Sequence, residues 1–332
     1  MTGQKTYWHL QEARRKPSEY DIASSRLLYY TGRGFEVNAP AAAWYVTYQQ
    51  GSPLHSSDWD GFRDPRETTY ARYAEIQSRK ETFVAGLLDA LEVTGYDKNL
   101  SSAWLGVLDR VLSPLRYPGH GLQMLAAYVG HMAPAGRIVI AAGLQAADEM
   151  RRVHLLAYRM RQLQNTYPAF GRAAAALWQH DPMWQPLRRL IERMLVTYDW
   201  AEAFVALNLV VKPALDDLFM NHFAQLAGSQ GDEILGKLFL SLGEDCAWHR
   251  DWSRALVAHV LADDPGNRRW LDTWREKWLP AVAAATGGFA QAWGDLAERA
   301  PRARFDEVRG AIEAHCRRYW DSIGAERDPE GG

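Results

Sequence analysis

The chain has 332 residues, 47% hydrophobic and 23% charged, with a net charge of −2, so it can bury a large core in one or two domains. This near-neutral balance excludes a bulk field favouring nucleic acid or an anionic membrane, and the basic clusters read as solvated helix faces. Its two cysteines, Cys246 and Cys316, show neither CxxC spacing nor a disulfide framework, which fits a reduced, cytoplasmic compartment.

In chain order, the opening Met1-Thr2-Gly3-Gln4-Lys5 is polar and lacks the apolar region of a signal peptide. Residues 1–65 are rich in Pro, Gly, Ser and aromatics, show little helical period, and read as an extended arm. Tyr7, Trp8, Tyr20, Tyr29, Tyr30, Phe35, Trp44, Tyr45, Tyr48 and Trp59 give it more aromatic surface than it can bury on itself. It is therefore expected to lie along the core or on a partner chain. Asp64-Pro65-Arg66-Glu67 predicts a helix start, with Asp64 as N-cap and Pro65 at the first helical position.

Residues 66–285 then read as a helical core, with amphipathic stretches at 68–91, 100–112, 122–132, 137–164 and 182–198. Residues 200–226 are almost wholly apolar from 203 to 211, the mark of a helix buried on all sides. Helices at 232–261 and 268–285 follow, the latter with Trp270, Trp274 and Trp278 on one packed face. Residues 286–332 hold the Gly287-Gly288 break, a last helix at 304–323 and a tail, 326–332, expected to fray. No run approaches the roughly 20 apolar residues of a membrane span, and neither hairpin alternation nor a solenoid repeat is evident. The expected architecture is all-α and a single domain, four long central helices with others around them.

Two stretches carry chemical information. A carboxylate-bridged di-iron bundle uses a Glu-x-x-His pair on each of two helices, with further glutamates on the other two. In Asp148-Glu149-Met150-Arg151-Arg152 the Glu is present, but Arg152 stands where the His belongs. In Asp245-Cys246-Ala247-Trp248-His249 the His is present, but Cys246 replaces the Glu. Lys212, in the apolar helix where a further ligand would lie, cannot ligate iron while protonated. Each stretch alone would be an ordinary surface pair or helix histidine. Together they predict a four-helix metal-binding fold that no longer binds metal, with Glu149, Arg152, Lys212, Cys246 and His249 as vestigial positions and a buried polar cluster of Glu149 with Arg152 or Lys212. No nucleophile elbow, phosphate loop, HExxH or dinucleotide fingerprint is present. A Cys246–His249 dyad lacks a third orienting group, and the glycine turn at 31–34 has no helix pattern behind it. No catalytic or cofactor-binding residue is therefore assigned.

Several segments then carry a resemblance: Lys16-Pro17-Ser18-Glu19-Tyr20-Asp21-Ile22, Ser52-Pro53-Leu54, Asp58-Trp59-Asp60, Ser113-Pro114-Leu115-Arg116-Tyr117 and His131-Met132-Ala133-Pro134. Leu207-Asn208-Leu209-Val210-Val211-Lys212-Pro213 and Trp252-Ser253-Arg254-Ala255-Leu256-Val257 continue it. The chain resembles the β subunit of the hydroxylase of bacterial multicomponent di-iron monooxygenases, of the toluene, alkene and isoprene type. The resemblance implies a ferritin-like (ribonucleotide-reductase-like) bundle. It implies a non-catalytic scaffold in an (αβγ)₂ hydroxylase that inserts one O₂ oxygen atom into an aromatic or alkene substrate at a di-iron centre in the α subunit. NADH, FAD and a Rieske 2Fe–2S cluster would reside in a flavin reductase and a ferredoxin, and a small regulatory (effector) protein would complete the system. The arm would lie across an α subunit, with Tyr20, Asp21, Trp44, Tyr45 and Trp59 as interface candidates. The alternatives are a free-standing ferritin-like binding protein and a self-sufficient metalloenzyme with further ligands beside Glu149 and His249.

Overall fold

The structure, a computed structural model, describes residues 10, 16–25, 27, 40–296 and 301–323. The arm aromatics Tyr7, Trp8, Tyr29, Tyr30 and Phe35, the glycine turn at 31–34 and the tail at 326–332 lie outside the described residues. Among those described there is no strand, and no helix is long and apolar enough to cross a membrane.

The arm contributes two short helices, α1 (Glu19–Ser24) and α2 (Pro40–Tyr45), the second running into a π turn at Val46–Gln50. The helix expected at Asp64 starts later. Asp64 does cap, its Oδ1 accepting from Arg66 N at 3.0 Å and its Oδ2 from Thr68 N at 3.1 Å. The turn it closes ends at Glu67, whose φ of 46° is left-handed and cannot propagate a helix. Helix α3 (Tyr70–Thr94) begins afresh, with Thr69 Oγ1 accepting from Arg72 N.

Helices α4 (Ser102–Val111), α5 (Arg116–His131) and α6 (Gly136–Thr166) follow, then α7 (Ala174–His180) and α8 (Gln185–Leu195). Helix α5 starts six residues before the expected 122, because Pro118 falls in its first turn, where a missing N–H costs nothing. Small residues set how closely the helices approach. A Cβ on Gly121 would stand 2.4 Å from Ile191 Cγ2, and one on Gly130 would stand 3.3 Å from Ala142 Cβ. Ala141, Ala142 and Ala146 are consequently buried within this chain, against α5, and offer no surface to a partner.

The apolar segment forms one rod from 200 to 229: α9 (Trp200–Phe204), a π segment (Val205–Val211), α10 (Lys212–Asp216), a second π segment (Asp217–Phe223) and α11 (Ala224–Ser229). Pro213, the second residue of α10, follows the first π segment, where its ring and missing N–H suit a widened turn better than a regular one. Helix α12 (Glu233–Asp263) packs along the rod and α6; α13 (Arg268–Gly287) crosses the rod, and α14 (Ala290–Leu296) and α15 (Pro301–Asp321) close the far side. Trp274 and Trp278 are buried on α13, as their spacing predicts. One contiguous core runs from Leu54 to Ile323. Helices α3, α6, α12 and the rod surround its polar centre.

Arg159 on α6, with no exposed surface, ties that helix to the turn after α3 by two bonds to Asp97, 2.7 and 3.0 Å long. Arg159→Ala leaves a buried carboxylate unpaired, so urea unfolding should register a loss of about 3–5 kcal/mol. Arg79→Ala, which removes only the exposed pair with Glu75, should cost under ~0.5 kcal/mol.

Candidate functional site

The five positions expected to be vestigial come together. Helix periodicity puts Glu149 and Arg152 on one face of α6, and Cys246 and His249 on one face of α12. The single turn α10, framed by the two π segments, aims Lys212 and Asp216 at them. Lys212 Nζ donates to Glu149 Oε1 and lies 3.2 Å from Asp216. Arg152 Nη1 lies 3.1 Å from Glu149 Oε2 and 3.4 Å from Asp216 Oδ1, while its Nη2 donates to Cys246 Sγ at 2.8 Å. Two cations and two carboxylates thus face one another, none more than 6% exposed. Burial opposes ionisation of Asp216, but Lys212 and Arg152 hold its carboxyl well below the ordinary range. Burial pushes the Cys246 thiol up to about 12, against the pull of Arg152, so it stays protonated and is no nucleophile at neutral pH.

A second group lies towards α3. Asp148 Oδ1 accepts from Tyr73 Oη and Gln77 Nε2, both at 2.8 Å, and its Oδ2 lies 3.0 Å from His249 Nε2. Asp245 accepts from Lys80 Nζ at 2.6 Å, Gln77 Nε2 at 3.1 Å and Arg151 Nη1 at 3.0 Å. Burial would raise Asp245, but Lys80 and Arg151 outweigh it and keep the carboxyl low. Burial and the charge of Asp245 push Asp148 up to about 8, while burial and nearby Lys212 push His249 down to about 3. Both donors to Asp148 use Oδ1. This leaves Oδ2 to face the imidazole, and both directions favour a neutral Asp148–His249 pair over an ionised one.

The donor set does not fit a di-iron centre. Such a centre needs bridging carboxylates and two imidazoles around divalent cations. Here a guanidinium and an ammonium contact the carboxylates directly, and a thiol stands at the second Glu position. Among the described residues no group of three or more His, Cys, Asp or Glu side chains could hold a metal ion.

Asp216, Arg151, Tyr73, Gln77 and Lys80 escaped the sequence reading. The signals were there: Asp216 is four residues from Lys212, Arg151 three from Asp148, and 73, 77 and 80 repeat at helical spacing. Of the interface candidates, Tyr20 and Asp21 turn inward. The ring of Tyr20 lies under Arg63 and Arg137, and Asp21 pairs with the same two arginines at 2.6 and 3.3 Å. Trp59 stacks edge-on to Trp200, Tyr45 donates to His131 O at 2.9 Å, and Trp44 remains 38% exposed beside Tyr48 and Tyr198.

Lys212→Met leaves Glu149 and Asp216 facing Arg152 alone, and should cost about 3–5 kcal/mol in urea unfolding. The proton on Asp148 has its own signature. Its folded value of about 8 exceeds the unfolded one, so stability falls as pH rises between about 4 and 8. His249 works oppositely between about 3 and 6.5, where the unfolded chain takes up a proton the native state refuses. Of these two groups only Asp148 still contributes a slope above about pH 6.5, at about 1.4 kcal/mol per unit. Unfolding free energies measured at pH 6.5 and 8 should differ by about 2 kcal/mol more in the parent than in Asp148→Asn.

Residues 44–264 match the sequence model of the methane/phenol/alkene hydroxylase family. The chain is 39% identical over 292 residues to the hydroxylase subunit beta of the toluene-4-monooxygenase system of Ectopseudomonas mendocina, covering 86% of this chain and 89% of that protein. It is 26% identical to the hydroxylase small subunit of propane 2-monooxygenase from Gordonia sp. strain TY-5, with coverage of 80% and 76%. A solved structure of toluene 4-monooxygenase with toluene in its resting active site superposes with a TM-score of 0.83 at 38% identity, over 87% of this chain and 97% of that one. The ferritin-like helical fold is shared, and the chain belongs to the methane/phenol/alkene hydroxylase family.

Proposed function

We propose that this chain is the structural β subunit of a soluble di-iron monooxygenase hydroxylase, required for activity without performing the chemistry. One observation carries the reading. Lys212 and Arg152 neutralise Glu149 and Asp216 in the bundle centre, so the carboxylates that a metal would need are already satisfied. The relatives bearing subunit names support it, and neither alternative, a free-standing binding protein or a self-sufficient metalloenzyme, is favoured by any feature of the centre.

In this reading the di-iron site and substrate cavity belong to a partner α subunit, which with a γ subunit completes an (αβγ)₂ assembly in the cytoplasm. Residues 1–65 act as the partner-facing arm, 66–285 as the core and 286–332 as its C-terminal extension. The outer surface supports a subunit role. Tyr70, Phe83 and Leu240, on α3 and α12, are 78, 53 and 57% exposed, and Val46 and Trp44 add apolar area around the arm. Obligate interfaces bury such surface, commonly more than about 2,000 Å² in total. Electrons from NADH would reach the α-subunit iron through a flavin reductase and a Rieske ferredoxin. A regulatory protein would dock on a surface that this chain helps to hold in place.

Metal analysis separates this reading from a metalloenzyme. Iron should accompany the co-expressed complex and be absent from the singly expressed chain, whereas stoichiometric iron in the single chain would overturn the assignment. Deletion of residues 1–60 should leave a helical chain that no longer co-purifies with α, and unchanged co-purification would remove the arm from the scaffold.

A further inference from the structure

A cavity of about 340 Å³ opens between the rod, α13 and α15, away from the polar centre. Its floor is hydrocarbon: Leu209, Val210 and Ala214 from the rod, Val282 from α13 and Ile312 from α15. Its rim is cationic, for Arg275, Arg309 and Arg317 surround a single carboxylate, Glu313. The Arg275 guanidinium is stacked 4.7 Å from the Trp320 ring centroid, which holds it at the mouth. Arg309 makes only an exposed pair with Asp306, 3.2 Å long, and exposed pairs of this kind hold weakly. Arg317 has no hydrogen-bond or ion-pair partner among the described residues. The family match ends at residue 264, so both rim helices lie beyond it.

An apolar pocket with a few convergent polar groups at one end is the common form of a small-molecule site, and this volume falls in the lower part of the usual range of about 300–1,000 Å³. The charge at the mouth selects the head group. A neutral hydrocarbon would leave the Arg317 guanidinium without a partner, and a cation would be repelled by the three arginines. Residues 324–332 contain no large apolar side chain, so that segment has nothing to fill the floor. We propose that the cavity binds an amphipathic carboxylate of medium chain length, its hydrocarbon tail on the Leu209–Val282–Ile312 floor and its head group on Arg275 and Arg317. Guanidinium suits this role because its fork of donors matches a carboxylate in two parallel bonds. The ligand would fasten α15 to the rod and to α13, because its contacts come from all three.

Isothermal titration calorimetry of the full chain with decanoate tests this, with decyltrimethylammonium and acetate as probes that carry only the tail or only the head. Decanoate should bind one to one, and each control should bind at least about tenfold more weakly, the equivalent of about 1.4 kcal/mol. Arg317→Glu should weaken decanoate by about tenfold or more, and Ala283→Trp, which fills the cavity mouth, should abolish binding. Both positions are exposed, so the unliganded Tm of each variant should match the parent. Absence of decanoate binding, equal binding of the two amphiphiles, or parental affinity in either variant would overturn the proposal. So would binding to the free chain that disappears in the co-expressed complex, since a partner subunit would then be the natural occupant.

Discussion

The structure depends on the neutralisation of two carboxylates deep inside a helical bundle. Glu149 and Asp216 lie where solvation by water is impossible, and an ionised carboxylate there is tolerable only beside a fixed positive charge. Lys212 and Arg152 supply that charge from two different helices. The rod is therefore bound to α6 by electrostatics as well as by packing, and Cys246 brings α12 into the same contact. Replacing such a cluster by hydrocarbon can be neutral in stability, whereas removing one member is not. The centre constrains the rod because its charges must be satisfied together.

Around this centre the remaining polar groups form a graded shell. Asp148 and Asp245 share the Gln77 amide, and α3 reaches this polar layer through Tyr73, Gln77 and Lys80, while its Val84 and Leu88 enter the apolar core. Gln145 links Asn208 on the rod to Trp252 on α12, with bonds of 2.7 and 3.0 Å. Four helices are thus joined by side-chain hydrogen bonds at depths where unsatisfied groups would cost about 1–3 kcal/mol each. Such a network favours one relative placement of the helices, and that is what a scaffold must provide.

Much of this was legible in the sequence because helical bundles repeat strongly. The apolar run at 203–211 announced a fully buried helix, and the two incomplete Glu-x-x-His patterns announced which helices meet at the centre. Boundaries were less legible. Asp64-Pro65 has the composition of a helix start, yet the left-handed Glu67 displaces α3 to Tyr70 for reasons set by tertiary packing. The π segments carry no sequence signal beyond Pro213. Asp216 and Arg151 were missed because i,i+3 and i,i+4 charge pairs on a helix are ordinarily surface features, and only burial gives them another meaning. Tyr20 and Asp21 read as partner-facing for the opposite reason: their intrachain arginines, Arg63 and Arg137, are 42 or more residues away.

The two π segments that frame α10 have a consequence for how such a chain can change over generations. Each residue of a helix turns the next by about 100°, so the angular position of Lys212 is set by the count of residues in the widened turn before it. Substitutions in Val205–Val211 alter packing locally, whereas loss of one residue must be absorbed by tightening the widened turn, or Lys212 and Asp216 swing away from α6 together. The rod can therefore vary in composition far more freely than in length. Its reading frame, in the geometric sense, is part of the charge balance it maintains.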